Sequence, residues 1–156
     1  MTAVLGFLPF LLACLAAAAT GALFRPGAWY QGLHHPAWRP PDRLFGPVWL
    51  VLYLMIAIAG WRVWRSAGLA DAALPLGLYC LQLVLNGLWS WLAFARQRLD
   101  LAALDMAALW VAIAATIAAF AAIDAVAAWL LVPYLAWISF ALALNLELWR
   151  RNPRAA

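Results

Sequence analysis

A chain of 156 residues that is 69% hydrophobic and 10% charged cannot build a water-exposed surface, because soluble domains carry about 25% charged residues. All ten basic residues are Arg, the formal net charge is +4 and the mean hydropathy is +0.91. The Arg residues fall at the ends of apolar runs, where they anchor at phosphate headgroups. These features predict a single-domain, all-α membrane protein, and they exclude a soluble globular domain and a nucleic-acid partner.

Five apolar stretches are long enough to cross a bilayer, which takes about 20 residues. They cover approximately residues 3–24, 44–64, 72–94, 101–123 and 126–149. The first lacks the basic start of a signal peptide, so we interpret it as an uncleaved helix. The segment 25–43 contains four Pro and cannot be helical throughout. We therefore expect a bundle of five transmembrane helices, with residues 25–43 capping one end.

Arg is distributed unevenly between the two ends of this predicted bundle. With five spans, the segment 25–43, the connection 95–100 and the C-terminal tail share one side. That side holds eight Arg residues: Arg25, Arg39, Arg43, Arg96, Arg98, Arg150, Arg151 and Arg154. The other side holds Arg62 and Arg65. The positive-inside rule then predicts a cytoplasmic C-terminus, and a helical rather than a barrel architecture favours the inner membrane.

Small residues recur at helical spacing in two spans. They are Ala13, Ala17 and Gly21 in the first span, and Ala73, Gly77, Cys80 and Val84 in the third. Such rows let helices approach closely. Because Ala is abundant in this chain, such rows also arise by chance, and the row in the third span fits a homodimer or a chance match equally well. Cys14 and Cys80 lie in apolar runs, which is typical of small buried side chains rather than a disulfide.

Polar side chains inside a span are costly and therefore informative. Gln82, Asn86 and Ser90 follow each other at intervals of four, which places them on one face of the third helix. They could join helices by hydrogen bonds, or they could line a pocket. Both interpretations fit the spacing equally well.

Eleven Trp residues are more than an aromatic belt at the membrane interface requires. The belt accounts for those near predicted span ends: Trp29, Trp49, Trp64, Trp129 and Trp149. It does not account for Trp137, which lies inside the fifth span, or for the inward stripe of Trp49, Tyr53 and Ala57. An aromatic stripe facing a polar row is what a flat, largely apolar ligand needs.

Other chemistry finds little support in the residues. His34 and His35 are adjacent and so do not face one point, and no Cys or carboxylate stands at ligand spacing, so no metal site is predicted. No nucleophile and base form a recognisable catalytic set. Asp42 is a candidate N-cap of the second span.

Several motifs resemble one family. Trp29-Tyr30 precedes the run from His35 to Pro41, which reads HPAWRPP, and Phe45, Pro47, Trp49 and Tyr53 follow. Gln82, Asn86 and Trp89 continue the pattern in the third span. The last part holds Val132 to Trp137, which reads VPYLAW, then Leu144-Asn145 and Trp149-Arg150. Together these resemble the tryptophan-rich sensory protein/translocator protein family, also called TspO or the peripheral benzodiazepine receptor.

The resemblance implies five helices around a capped pocket, commonly in a homodimer. It implies binding of porphyrins such as protoporphyrin IX and haem, of cholesterol in some members, and of synthetic isoquinoline and benzodiazepine ligands. No cofactor is required. Carried onto this chain, with Gln82 added from the polar row, the ligand-binding residues are Trp29, Tyr30, Trp38, Trp49, Tyr53, Gln82, Asn86, Trp137 and Ala141. Trp29 and Trp137 match the tryptophans that the family's light-dependent porphyrin degradation invokes, so they are the candidate catalytic residues.

One departure concerns sterol. Animal members carry a Tyr between Leu-Asn and Trp-Arg in the last helix, whereas this chain has Leu146, Glu147 and Leu148 there. We therefore expect weak sterol binding. The leading functional hypothesis is a porphyrin-binding membrane protein with a sensory, regulatory or trafficking role. The alternatives are a light-dependent porphyrin-degrading enzyme and a transporter of tetrapyrroles or sterols.

Overall fold

The structure is a computed structural model that describes residues 2–154, with side chains from Leu5 onward. Its helices are α1 (Thr2–Leu23), α2 (Ala28–Gln31), α3 (Asp42–Asp71), α4 (Ala73–Ser90), α5 (Leu99–Ala121) and α6 (Ala125–Arg151). A π-helical stretch, Trp91–Ala95, continues α4. Five of these segments are long and apolar enough to cross a membrane: α1, α3, α4 with its π-helical end, α5 and α6. The predicted five-span fold is confirmed, and the protein is an integral, multi-pass membrane protein.

The spans pack in a ring whose order differs from the chain order. Around the bundle, α1 packs on α3, α3 on α6, α6 on α5, α5 on α4 and α4 on α1, while α3 and α4 also meet across the centre. The core between them is apolar, with Ile56, Tyr79, Ile113, Phe120 and Tyr134 fully buried. Since no helix lies at the centre of the ring, space between the spans is available wherever the side chains are small.

Two glycines set how closely α1 approaches α3 at one end. A Cβ on Gly60 would stand 2.8 Å from Phe10 and 2.8 Å from Tyr79, and one on Gly6 would stand 2.5 Å from Trp64. The aromatic rings of α1 and α3 interlock there, with Phe7 edge-on to Trp61 at 5.8 Å. The small residues thus let large rings fill the interface between these helices, as is common between membrane helices.

The helix bounds correct two expectations. The second span does not end at residue 64, because α3 continues to Asp71 across a kink at Gly68. The backbone of Gly68 is not helical, and its φ of 74° suits glycine. Asp42 does not cap α3: Pro41 precedes the helix, and the Asp42 carboxylate pairs with Arg39 instead. Part of the capping segment, Ala28–Gln31, forms a helical turn.

The two ends of the bundle are arranged as the Arg distribution predicts. The backbone N–H of His34 donates to Asn152 Oδ1 over 2.9 Å, so the capping segment and the C-terminal end of α6 meet at one end. Tyr30 packs edge-on against Phe94 at 5.2 Å, which brings the end of α4 there as well. At the opposite end, Arg62 of α3 forms a 2.9 Å ion pair with Asp124. The eight Arg residues thus share one end, called the loop end below.

The two faces of α4 serve different purposes. Gln82, Asn86 and Ser90 are buried inside the bundle. The small residues of the same helix, Ala73, Gly77, Cys80 and Val84, are all exposed on its outer face. The row therefore makes no close helix contact within the described chain. The homodimer through this helix stays a prediction.

Candidate ligand-binding site

A cavity of about 660 Å³ lies inside the loop end of the bundle. All five spans contribute to its wall, and the capping segment covers its end through Pro26, Tyr30, Gln31 and Arg39. Most of the side chains that face it are apolar or aromatic. The volume falls in the range of sites for small organic ligands, about 300–1,000 Å³.

Aromatic rings of α3 and α6 form one wall. Trp49 stacks on Tyr53 with centroids 5.3 Å apart and an interplanar angle of 29°. Phe45 lies edge-on to Trp137 with a centroid distance of 5.6 Å. Trp49 and Tyr53 are one helical turn apart, so their rings present a continuous face. The stripe predicted from the sequence is therefore a real surface of the cavity at Trp49 and Tyr53, whereas Ala57 is buried beyond it.

A hydrogen-bonded chain lies at the inner end of this wall. The Tyr53 hydroxyl donates to Asn86 Oδ1 over 2.6 Å, and Asn86 Nδ2 donates to the Tyr134 hydroxyl over 2.9 Å. These bonds join α3, α4 and α6. Because Asn86 uses its oxygen and one amide hydrogen in them, the second amide hydrogen is left for a ligand or water. The polar row therefore joins helices and lines a pocket at the same residue.

The cap is a small packed unit around Tyr30. The Tyr30 ring lies beneath the guanidinium of Arg39, 5.3 Å from the centroid. His35 Nε2 lies 2.8 Å from the Tyr30 carbonyl, and since a carbonyl can only accept, that nitrogen carries the proton. Burial lowers the pKa of the His35 imidazole and raises the pKa of the Tyr30 hydroxyl. Both groups are therefore neutral at pH 7, and the cap places an aromatic ring over the cavity.

Arg39 supplies a cation at the edge of this apolar cavity. Its side chain is 16% exposed and pairs with Asp42, which is 59% exposed. Its Nε is buried and has no hydrogen-bond partner among the described residues. A buried donor without a partner costs free energy, so Arg39 is well suited to donate a hydrogen bond to the carboxylate of a ligand in the cavity.

The structure brings together six of the nine residues predicted to bind ligand. Tyr30, Trp49, Tyr53, Asn86, Trp137 and Ala141 line the cavity. Trp29, Trp38 and Gln82 are not among its lining residues. Trp38 packs edge-on against Phe140 at 5.6 Å, and Trp29 lies half-buried in α2. Of the two candidate catalytic tryptophans, Trp137 therefore faces the cavity and Trp29 does not.

Gln82 lies one turn deeper in α4 than Asn86 and is 1% exposed. Its amide nitrogen and oxygen have no hydrogen-bond partners among the described residues. Equal spacing in sequence placed Gln82 and Asn86 on one face, but it did not reveal how deep the cavity extends.

Further lining residues were not predicted as part of the site. They include Phe45, Trp89, Phe94, Met106 and Asn145. Asn145 and Trp89 already stood in the motifs, and they are joined here, with Trp89 Nε1 3.4 Å from Asn145 Oδ1. Phe94 had no sequence signal, because the π-helical stretch that turns it toward Tyr30 does not follow from residue spacing.

The fold and the cavity define a class: a polytopic helical membrane protein with a capped internal site for an apolar, aromatic ligand. A model of the TspO/MBR family matches residues 10–150, and this chain belongs to that family. Protein CrtK of Rhodobacter capsulatus is 39% identical over 151 residues, covering 94% of this chain and 92% of that protein. The tryptophan-rich sensory protein of Cereibacter sphaeroides is 40% identical over 94% and 90% of the two chains. The human translocator protein is 39% identical over 80% and 75%.

Proposed function

We propose that this protein binds porphyrins, protoporphyrin IX or haem, inside the membrane and serves a sensory, regulatory or trafficking role. One observation carries the proposal: a cavity of about 660 Å³ has stacked aromatic rings along its wall and a partly unpaired Arg at its edge. A porphyrin is flat and apolar across its face and carries carboxylates on its edge. Trp49 and Tyr53 suit the face, and Arg39 suits a carboxylate.

The balance of burial and charge supports this ligand class. Aromatic contacts contribute about 0.5–1.5 kcal/mol per pair beyond the burial of apolar area. A hydrogen bond between Arg39 and a carboxylate contributes about 1.5–3 kcal/mol, because one or both partners are charged. A neutral sterol would use the apolar wall but would leave Arg39 without a new partner.

Light-dependent porphyrin degradation is the second candidate, and the position of Trp137 favours it. The indole lines the cavity and would contact a bound porphyrin directly. The titratable side chains among the described lining residues are Arg25, Tyr30, Arg39, Asp42 and Tyr53. They do not form a nucleophile–base pair, so degradation would depend on photo-oxidation of the porphyrin, with molecular oxygen as the oxidant and an indole as electron or radical partner.

The setting of the protein is part of the proposal. The loop end carries eight Arg residues and only three carboxylates, those of Asp42, Asp100 and Glu147. This excess of positive charge favours a cytoplasmic loop end and C-terminus, and the proposed membrane is the inner membrane. The exposed small-residue row of α4 favours a homodimer. Leu146 is 44% exposed and offers a sterol no aromatic ring. Glu147 forms ion pairs with Arg150 and Arg151. Both features favour weak sterol binding.

A titration of the purified protein with protoporphyrin IX, haem and cholesterol tests this proposal. We expect saturable binding of the tetrapyrroles, with cholesterol much weaker. Repeating the porphyrin titration in light and in darkness separates binding from degradation, since a defined product that forms only in light would favour the second candidate. Porphyrin flux across proteoliposomes would favour a transporter. Tight cholesterol binding without porphyrin binding would overturn the proposal.

A further inference from the structure

The cavity is closed on most of its sides by buried or interlocked residues. On the side of α5 and α6, the lining residues Met106, Leu144 and Leu148 are all buried, as is Leu99 at the start of α5. Between α3 and α6, the edge-on pair of Phe45 and Trp137 fills the gap. A ligand of porphyrin size therefore cannot reach the cavity through these sides without displacing packed side chains.

The cap closes the end of the cavity. Tyr30 packs against Phe94 and lies under Arg39. Asn152 holds the cap to α6 by accepting the His34 backbone N–H over 2.9 Å and by donating to the His34 carbonyl over 3.2 Å. Entry from the aqueous side would require these contacts to break together.

The side between α1 and α3 is different, because the exposed residues that line the cavity there are apolar and belong to the spans. The exposed lining residues at the loop end, Arg25, Pro26, Gln31 and Asp42, are mostly polar. Leu15 of α1 is 54% exposed and Leu50 of α3 is 64% exposed, and both line the cavity. Gly21 and Gly46 also line it and are exposed. We name this gap the lateral opening and define it by Leu15, Ala18 and Gly21 of α1 with Gly46 and Leu50 of α3.

The helix packing explains why the opening is at this end. The interlocked contacts between α1 and α3 involve Gly6 with Trp64 and Gly60 with Phe10, at the end opposite the cap. Toward the loop end α1 is held by α4 instead, since a Cβ on Gly87 would stand 3.3 Å from Thr20. At the loop end α1 therefore packs against α4, and a gap remains between α1 and α3.

We propose that the ligand enters and leaves the cavity sideways through the lateral opening, directly from the lipid phase. Its residues are all apolar and two of them are glycines, which leaves room for a flat hydrophobic molecule. Arg25 lines the cavity at the loop-end edge of the opening and is exposed, where a ligand carboxylate at headgroup depth would meet it. The inference rests on the proposed function for the identity of the ligand but not for the location of the opening.

The test blocks the opening without touching the rest of the site. Gly46→Phe adds a ring at a position where a Cβ would meet nothing within 4 Å. Ala108→Phe is its control, because Ala108 is exposed on α5 and does not line the cavity. Association and dissociation of protoporphyrin IX are followed in proteoliposomes by porphyrin fluorescence. We expect Gly46→Phe to slow both rates about tenfold or more, since a barrier in a shared path affects both directions. Ala108→Phe should leave both rates unchanged. Leu50→Ala, which widens the opening, should speed both rates.

Several results would overturn the lateral opening. One is unchanged association and dissociation rates in Gly46→Phe. Another is faster dissociation without slower association, because that result indicates that the Phe ring fills the cavity and does not block the path. Faster exchange in Asn152→Ala with no effect of Gly46→Phe would assign entry to the cap. If the parent protein does not bind protoporphyrin, the proposed function is wrong. The opening is then judged without ligand, from the quenching by lipids with brominated chains of the part of the Trp fluorescence that Trp49→Phe removes. Gly46→Phe should reduce this quenching and Ala108→Phe should not.

Discussion

At the scale of single residues, Arg39 is the feature that gives an otherwise apolar cavity a preference for acids. Its guanidinium is held over Tyr30 and paired with Asp42, yet its Nε has no partner among the described residues. The residue is therefore fixed in place before a ligand arrives. A preorganised cation loses little side-chain freedom when it binds a carboxylate, which favours affinity.

Replacing Arg39 should change which porphyrins bind. Arg39→Gln removes the charge while keeping a polar side chain, so protoporphyrin IX should bind about tenfold more weakly, a loss of about 1.4 kcal/mol. Its dimethyl ester, which has no carboxylate, should bind the variant and the parent alike. Arg43→Gln is the matched control, because Arg43 is exposed and is not a lining residue of the cavity. Equal losses for acid and ester would show that Arg39 supports the cap rather than the carboxylate.

Many of the cavity-lining residues could be predicted from the sequence. Tyr30, Trp49, Tyr53, Asn86, Trp137 and Ala141 were predicted and line the cavity, because motif and helical spacing identify the inward face. Gln82 shares that face but lies too deep, and Trp38 turns toward Phe140. Depth along a helix and the direction of a side chain in a Pro-rich segment depend on tertiary packing, which spacing does not encode.

At the scale of elements, the cap depends on the side chain of Asn152, the residue that follows α6. Asn152 accepts the His34 N–H and donates from Nδ2 to the carbonyls of His34 and Leu148, at 3.2 Å and 2.8 Å. Asn152→Ala removes all three bonds, each contributing about 0.5–1.5 kcal/mol. We expect faster hydrogen exchange at the His34 amide, with the thermal unfolding of the bundle little changed. Unchanged protection at His34 would mean that Tyr30 and Arg39 hold the cap without Asn152.

The contact between α1 and α3 makes a second prediction about elements. A Cβ on Gly60 would lie 2.8 Å from both Phe10 and Tyr79, so Gly60→Ala should lower stability by about 1–3 kcal/mol through overpacking. Gly77→Ala, with nothing within 4 Å, should leave stability unchanged or raise it, because Ala is the better helix former. Thermal unfolding in detergent compares the two variants. Equal effects would contradict the close packing of α1 on α3.

Some of the helices and loops could be predicted from the sequence, and others could not. The five spans followed from apolar length, and the capping segment from its Pro content. The extension of α3 to Asp71, its bend at Gly68 and the π-helical stretch at Trp91–Ala95 did not follow. Each depends on backbone geometry that a hydropathy pattern leaves open, and the π-helical stretch is what brings Phe94 against Tyr30.

At the scale of the whole molecule, the order of the spans creates the site. Because α1 packs on α3 and α4 rather than filling the centre, the ring leaves a cavity at the loop end, where the side chains of α1 are small. The same arrangement gathers eight Arg residues at that end and leaves the Arg62–Asp124 pair at the other. The apolar wall, the cationic edge and the lateral opening thus follow from one packing order.

Trp137 tests the central claim most directly, since it lines the cavity from inside a span. The matched control is Trp129 of the same helix, which is 71% exposed. Trp64 is unsuitable as a control, because it packs against Phe10 and Gly6 rather than standing free in an interface belt.

The measurement is the Kd of protoporphyrin IX for the parent, Trp137→Ala and Trp129→Ala, from porphyrin fluorescence in detergent. Losing the indole removes buried area, at about 25 cal/mol per Å², and an aromatic contact. We predict that Trp137→Ala binds at least about tenfold more weakly, equivalent to about 1.4 kcal/mol, while Trp129→Ala binds like the parent. A folded Trp137→Ala protein that binds with the parent's Kd, or an equal loss in Trp129→Ala, would contradict the assignment of the cavity as the porphyrin site.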